Sequence, residues 1–217
     1  MGRGMTMSQG VREQNKNARY KSIVSTAEQL FLEYGLDSVQ MQDIANAEKI
    51  GVATLFRYFP KKDKLIVAVA IQNLERTIPV FQQIALLPKS AFERLEDILN
   101  CLLENQTETR HNSAKFREAF ESYAAFSKEP LSNIEEYIET QKKISDMITP
   151  IIVDGEKDGS LRQDIPIKES IMTVINAYGI FGNNIVLKSE ITYLDDDIQP
   201  HIQQKLLKDM LLAYVRA

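Results

Sequence analysis

The sequence predicts an all-α protein with a small N-terminal helical head and a larger helical body. Three observations carry this. Glycine (9) and proline (7) are sparse among 217 residues, 44% of the residues are hydrophobic, and β-branched residues are scattered among Ala, Leu, Glu, Lys and Gln. Apolar residues recur at steps of three and four along most of the chain, the period of one helix face. Finally, a long helix-period segment precedes two short ones joined by a tight turn near the N-terminus, the plan of a helix-turn-helix.

The first helix is expected over 16–34, where Ile23, Ala27, Leu30, Phe31 and Tyr34 form the apolar face and Gly35 supplies the C-terminal stop. A short helix follows over 40–47 with Ile44 and Ala45 inward. The stretch Glu48-Lys49-Ile50-Gly51 turns the chain, and a third helix runs over 52–59 until Pro60, which cannot continue it. A fourth helix opens at the cluster Lys61, Lys62, Lys64, carries the apolar run 65–71 and ends near Arg76, with Pro79 bending or closing it. Further amphipathic helices are expected over about 90–109, 113–127, 132–158, 168–188 and 201–215, with breaks at Pro88, His111-Asn112, Glu129-Pro130, Gly159 and the acidic loop around Asp195-Asp196-Asp197. This gives a domain of residues 1–65 holding the reading motif at about 40–59, and a second of residues 66–217.

Charge is divided unevenly. The chain carries a formal −4, yet residues 1–64 contain ten Lys and Arg against seven acids, so a basic head (+3) precedes an acidic body (−7). A basic head suits a phosphate backbone, which an acidic surface would repel. Cys101 is the single cysteine, so no internal disulfide and no paired zinc spacing exists, which fits a reducing cytoplasm. The longest apolar run falls far short of the roughly 20 residues of a membrane span, and residues 1–10 lack the apolar stretch of a signal peptide.

The segment 23–65, with Ala27, Leu30-Phe31, Gly35, Asp43-Ile44-Ala45, Ile50, Thr54-Leu55-Phe56, Tyr58-Phe59 and Lys62-Asp63-Lys64-Leu65, resembles the DNA-binding domain of the tetracycline-repressor (TetR) family. Residues 158–164, Asp-Gly-Ser-Leu-Arg-Gln-Asp, resemble the turn before that family's penultimate long helix. The resemblance implies an Ω-shaped homodimer, with an N-terminal helix-turn-helix domain followed by a helical ligand-binding and dimerisation domain whose last two long helices form the dimer interface. It implies a cytoplasmic regulator, a repressor of transcription, bound to palindromic double-stranded operator DNA and released by a small-molecule effector. It also implies base-edge contacts at Gln42, Val52, Ala53 and Phe56, and phosphate contacts at Thr54, Tyr58 and Lys62.

Read from the residues themselves, Leu55 and Phe59 lie four apart and face the first helix, while Ala53, Thr54, Arg57 and Tyr58 project outward. Arg57 joins the base-edge candidates by its charge, and Lys61 the phosphate candidates, because cations at a helix start oppose the helix dipole and need another justification. Some positions depart from the family's habit: Glu48-Lys49 replaces Ala-Gly in the turn, so a left-handed conformation there carries strain; Gly51 replaces a capping Ser; Phe56 replaces Tyr and lacks its hydroxyl; Gln40 stands where Thr often caps the second helix.

For the effector, the aromatic stripe Phe116, Phe120, Tyr123 and the residues Tyr137, Tyr178 and Phe181 read first as core. The resemblance places a pocket among these helices, with Cys101, Asn105, Phe120, Tyr123 and Tyr178 as its candidates and a planar aromatic or lipophilic ligand as its occupant. Dimerisation is expected through Ile171, Ile175, Tyr178 and Gly182 facing Ile202, Leu206, Met210 and Tyr214, with Ala177, Gly179 and Gly182 admitting a close helix. The fourth helix is expected to couple body to head, with its strained point near Pro79.

Glu108-x-x-His111 is half of a di-iron motif, but the second copy is missing. Residues 154–159 imitate half a calcium loop, and the twelfth position holds Ile165 instead of Glu. No His-based triad, cysteine dyad, metal or cofactor site emerges. A helical enzyme with unassigned carboxylates, a ligand-binding protein without DNA activity and a purely structural partner-binding protein remain the alternatives.

Overall fold

The computed structural model describes residues 7–104, 108–188 and 200–217. These residues form eleven α-helices: α1 Met7–Tyr34, α2 Met41–Ala47, α3 Val52–Tyr58, α4 Lys62–Glu75, α5 Ile78–Ala85, α6 Ala91–Glu104, α7 Glu108–Phe126, α8 Ile134–Asp146, α9 Thr149–Asp158, α10 Ile167–Lys188 and α11 Pro200–Val215. Among the described residues the sole β feature is an isolated bridge, Leu161 with Arg216. The all-α expectation holds.

The chain divides into two compact units, Met1–Asn73 with Phe116–Tyr137, and Leu74–Lys115 with Ile138–Ala217. The expected boundary at 65/66 cut closer to the reading motif. The first unit is larger because α4 buries Leu65 to Ala70 almost completely, and because α7 lends it an aromatic ladder. In that ladder Phe31 of α1 meets Phe116 at 6.4 Å, Phe116 stacks on Phe120 at 6.5 Å, and Phe120 meets Tyr137 of α8 at 4.9 Å. Asn73 donates to Glu28 at 3.0 Å and to the Val69 carbonyl at 3.0 Å, so a buried polar pair also ties α4 to α1.

In the second unit Leu95, Ile98 and Leu99 of α6, Ile151 of α9, and Ile171, Val174 and Tyr178 of α10 share one core with Leu212 and Val215 of α11. The family-like turn caps this core. Gly159 ends α9 in the left-handed conformation (φ 69°). The Asp158 carboxylate and the Ser160 hydroxyl then accept the Ala91 and Phe92 N–H groups at 2.8 and 3.1 Å, satisfying the first turn of α6. Gly155 is required for space: a Cβ there would collide with the Leu161 side chain. The stretch that imitates a calcium loop is helical, and its Asp154 is paired with the buried Arg94 at 2.8 Å.

Several element boundaries differ from expectation. Helix α1 begins nine residues earlier, at Met7. Pro79 does not bend α4, which has already ended at Glu75; it lies in the first turn of α5, where its missing N–H costs nothing. His111 and Asn112 do not break the chain but lie inside α7, because their propensity cost of a few tenths of a kcal/mol each is outweighed by the burial of Ala114, Phe116 and Phe120. The single helix expected over 132–158 is two, since Pro150 cannot lie mid-helix and opens α9 instead. The acidic loop at Asp195 lies outside the described residues.

One half of the expected dimer face is corrected. Ile171, Ile175, Tyr178 and Gly182 are buried in the second unit's own core. They are therefore unavailable to a partner. Ile202, Leu206, Met210 and Tyr214 of α11 are exposed as expected, and the exposed positions described in α10 are Lys168, Glu169, Thr173, Asn176, Ile180 and Asn184. The sequence alone shows two apolar faces on α10 without saying which one the chain itself consumes.

Candidate nucleic-acid interface

The interface is built by α1 to α4 of the first unit. Helix α2 starts at Gln40, whose N–H donates to the Asp43 carboxylate at 2.8 Å; the Gln40 side chain turns back to the Ser38 carbonyl. A carboxylate in the first turn also complements the helix dipole. Ile44 and Ala45 are fully buried and fix α2 against its neighbours.

The turn between α2 and α3 carries the strain that its residues foretell. Lys49 has φ 56°, a left-handed conformation without glycine's freedom. What holds it is Glu48, whose two carboxylate oxygens accept hydroxyl hydrogen bonds from Ser22 at 2.5 Å and Thr26 at 2.7 Å. Both hydroxyls lie one turn apart on α1, so the turn is clamped to the supporting helix. Sequence reasoning registered Glu48 only as a departure from habit; the signal it passed over was the i, i+4 spacing of Ser22 and Thr26.

Helix α3 follows from Gly51, which caps with backbone alone: its carbonyl accepts the Thr54 N–H at 2.8 Å and the Leu55 N–H at 3.1 Å. Leu55 and Phe59 are both fully buried, and Tyr20 of α1 lies against Phe59 with ring centroids 4.9 Å apart. Burying two such side chains is worth about 1.5–3 kcal/mol each, enough to seat a helix of seven residues that would not persist alone. The opposite face is left to solvent. Ala53, Arg57 and Phe56 are exposed, the last at 44%, while Val52, Thr54 and Tyr58 are half-buried. Arg57 donates to the Thr54 hydroxyl at 3.3 Å, a contact an incoming ligand can displace.

On α2, Gln42 is exposed and its amide donates to Asn46 at 2.9 Å, which holds it along the helix surface. Lys61 is exposed. Lys62, half-buried as the first residue of α4, donates to the Asp37 carbonyl at 3.2 Å. Partial burial pulls its ammonium below the ordinary value, against the opposing pull of Asp37, Asp63 and Asp43. The Asp37 carbonyl thus explains why a cation sits at this helix start without invoking a phosphate. Asp63 is also engaged, accepting the Tyr123 hydroxyl at 3.0 Å.

The described outer face is therefore a short helix of mixed apolar and cationic side chains, backed by a rigid core and flanked by lysines. Residues 23–69, which contain all of α2, α3 and the start of α4, match the family profile described as bacterial regulatory proteins, tetR family. This segment is similar to the DNA-binding part of tetR-family regulators.

Solved structures extend the TetR-like fold over the rest of the chain. A TetR transcription regulator from Haloarcula marismortui superposes with a TM-score of 0.70 at 15% identity, covering 93% of this chain and 100% of its own. A putative transcriptional regulator from Saccharomonospora viridis in complex with choline gives 0.67 at 16%, covering 93% and 99%. The fatty acid degradation regulator FadR from Bacillus halodurans gives 0.64 at 17%, covering 89% and 97%. No curated protein sequence gives a significant match.

The described effector candidates belong to both units. Phe120 and Tyr123 belong to the first unit, Cys101 and Tyr178 to the second, and Asn105 lies outside the described residues. Phe120 is consumed by the aromatic ladder, and Tyr178 is fully buried in the second unit's core. Cys101 is half-buried against that same core. Tyr123 lines a shallow cavity of about 400 Å³ with Leu36, Asp37, Ala119, Ser122 and Phe126. Among the described residues no group of His, Cys, Asp and Glu is arranged to hold a metal, and no helix is long and apolar enough to cross a membrane.

Proposed function

We propose that this chain is a TetR-family regulator, a cytoplasmic repressor that binds palindromic operator DNA as a homodimer and is released by a small-molecule effector, with no catalytic role. The observation that carries the DNA reading is the outer face of α3: Ala53, Phe56 and Arg57 lie exposed on a helix whose inner face, Leu55 and Phe59, is fully buried. Side chains so held can reach base edges, Arg57 pairing with guanine and Gln42 with adenine, while Phe56, Val52 and Ala53 offer apolar contact to thymine methyls. Thr54, Tyr58, Lys61 and Lys62 would bind phosphates and set the register. Lys62 must exchange the Asp37 carbonyl for that contact.

A dimer is supported by the exposed stripe Ile202, Leu206, Met210 and Tyr214 on α11, with Ile180 on α10. Gly179 faces open space, where a second helix can come close. Two heads are what a palindrome requires. The effector reading draws on the choline complex of the Saccharomonospora regulator and on the second unit's apolar interior, which favours an aromatic or lipophilic ligand. Cys101, beside that core, is the candidate to probe first.

Binding to a duplex selected by the protein itself tests the reading. Lys62→Ala should weaken binding to all duplexes alike and reduce the salt-dependence slope by about one unit. Arg57→Ala should relax preference at one base pair, a loss of about 1–3 kcal/mol against the selected duplex. Unchanged affinity in both variants would remove the docking through α3.

A further inference from the structure

Helix α1 is longer than its supporting role requires. Among its described residues the first buried one is Ile23, and residues 11–22 are exposed throughout, about 18 Å of helix at ~1.5 Å per residue, with Tyr20 and Ser22 near its end resting on Phe59 and Glu48. Within that stretch stand Arg12, Lys16, Arg19 and Lys21 against a single carboxylate, Glu13. Arg12, Lys16 and Arg19 follow steps of four and three and so share one face. Continued by Ile23 and Ala27, the same steps lead onto the buried stripe of α1. The stripe that packs within the head therefore turns cationic as soon as it leaves it.

We infer that Arg12, Lys16 and Arg19 form a second DNA-contacting surface, a cationic rail that neutralises backbone phosphates flanking the site read by α3. The inference rests on the DNA-binding reading above and extends it. Position supports it: Tyr20, next to Arg19, lies against Phe59, the residue that ends α3, so the root of the rail adjoins the end of the recognition helix and the neighbouring Lys61 and Lys62. Chemistry selects the partner. Side chains spaced along a straight helix, none of them in an ion pair found among the described residues, match a periodic line of negative charge better than a compact anion. The local sequence agrees, because Gly10, Asn15 and Asn17 are poor helix formers in a segment without tertiary support. Neutralising the three like charges on one face would remove their mutual repulsion and favour the helix on DNA.

The rail adds affinity without reading sequence. The test is the triple variant Arg12→Gln, Lys16→Gln, Arg19→Gln of the full chain. Glutamine has nearly the helix propensity of the residues it replaces, and all three positions lie outside the core, so folding is not at risk. Binding is measured against salt concentration on a duplex of arbitrary sequence and on the duplex selected by the wild-type chain, the latter with and without about 10 base pairs of flank.

The inference predicts a slope lower by about two to three units per bound subunit on both duplexes, at ~0.9 per lost phosphate contact. It also predicts an unchanged ratio of selected to arbitrary affinity, and wild-type sensitivity to the flanks that the variant lacks. Equal slopes and equal flank dependence, with wild-type binding intact, would overturn the rail alone. Failure of the wild-type chain to bind either duplex would overturn the rail and the DNA reading together. Vesicles of phosphatidylserine and phosphatidylcholine serve as a control: binding lost only there in the variant, with equal DNA slopes, would assign the stripe to a membrane surface and overturn the inference.

Discussion

At the scale of single residues, the reading motif is held by contacts that offset one another. Lys49 occupies a left-handed conformation that costs a side-chain-bearing residue about 1 kcal/mol, and the clamp of Glu48 on Ser22 and Thr26 keeps the turn there. Lys49→Gly should therefore raise unfolding stability by about 1 kcal/mol with an unchanged denaturant slope, as measured by urea titration. A loss of stability would mean that the turn is not strained. The strain was legible beforehand, because the residue types of the turn differ from those such a turn favours. The clamp was not, since a hydroxyl pair on one helix and a carboxylate 22 residues or more away become partners only through the fold. For the same reason the sequence could name Lys62 as a phosphate candidate but could not foresee that its ammonium rests on the Asp37 carbonyl.

At the scale of elements, prolines and glycines have positional meaning that a periodic pattern alone blurs. Gly35 and Gly159 stop α1 and α9 as their residue type predicts, both with positive φ. Pro79 and Pro150 start helices and do not bend them, and periodicity reads straight through the short breaks before them. Conversely, His111 and Asn112 look like a break but are carried by the packing of α7. The start of α6 shows how one element caps another across the sequence: Asp158 accepts the Ala91 N–H and is held below its ordinary value of 3.8 chiefly by the Ser160 hydrogen bonds and by that N–H. A carboxyl whose folded value is lowered stabilises above the unfolded value and loses that contribution as pH falls through the lower folded one. Stability should thus decline from about pH 4 downward, and Asp158→Asn should flatten this part of the profile in thermal melts across pH. An unaltered acid limb would show that the cap does not depend on the charge.

At the scale of the whole molecule, the all-α class and the N-terminal helix-turn-helix were legible because helix period and turn chemistry are local properties. Which face of α10 the chain buries within itself was not, because Ile171, Ile175 and Tyr178 are apolar whether they meet α6 or a partner. Phe120 and Tyr178 read as effector candidates for a related reason: aromatic stripes mark burial, and burial alone does not separate a packed core from a cavity. The proposed dimer has a direct consequence. Leu206→Glu with Met210→Glu places two carboxylates on the exposed stripe of α11, and light scattering should give 24.7 kDa in place of twice that mass, with operator affinity falling more than tenfold. The central claim, that paired α3 helices read a specific palindrome, is tested most directly by selection of duplexes from a random pool by the full chain. The account predicts enrichment of an inverted repeat whose half-site centres lie one helical turn apart, about 34–36 Å, or a multiple of it. A selected pool with no repeated motif, or with one unpaired site, would contradict it.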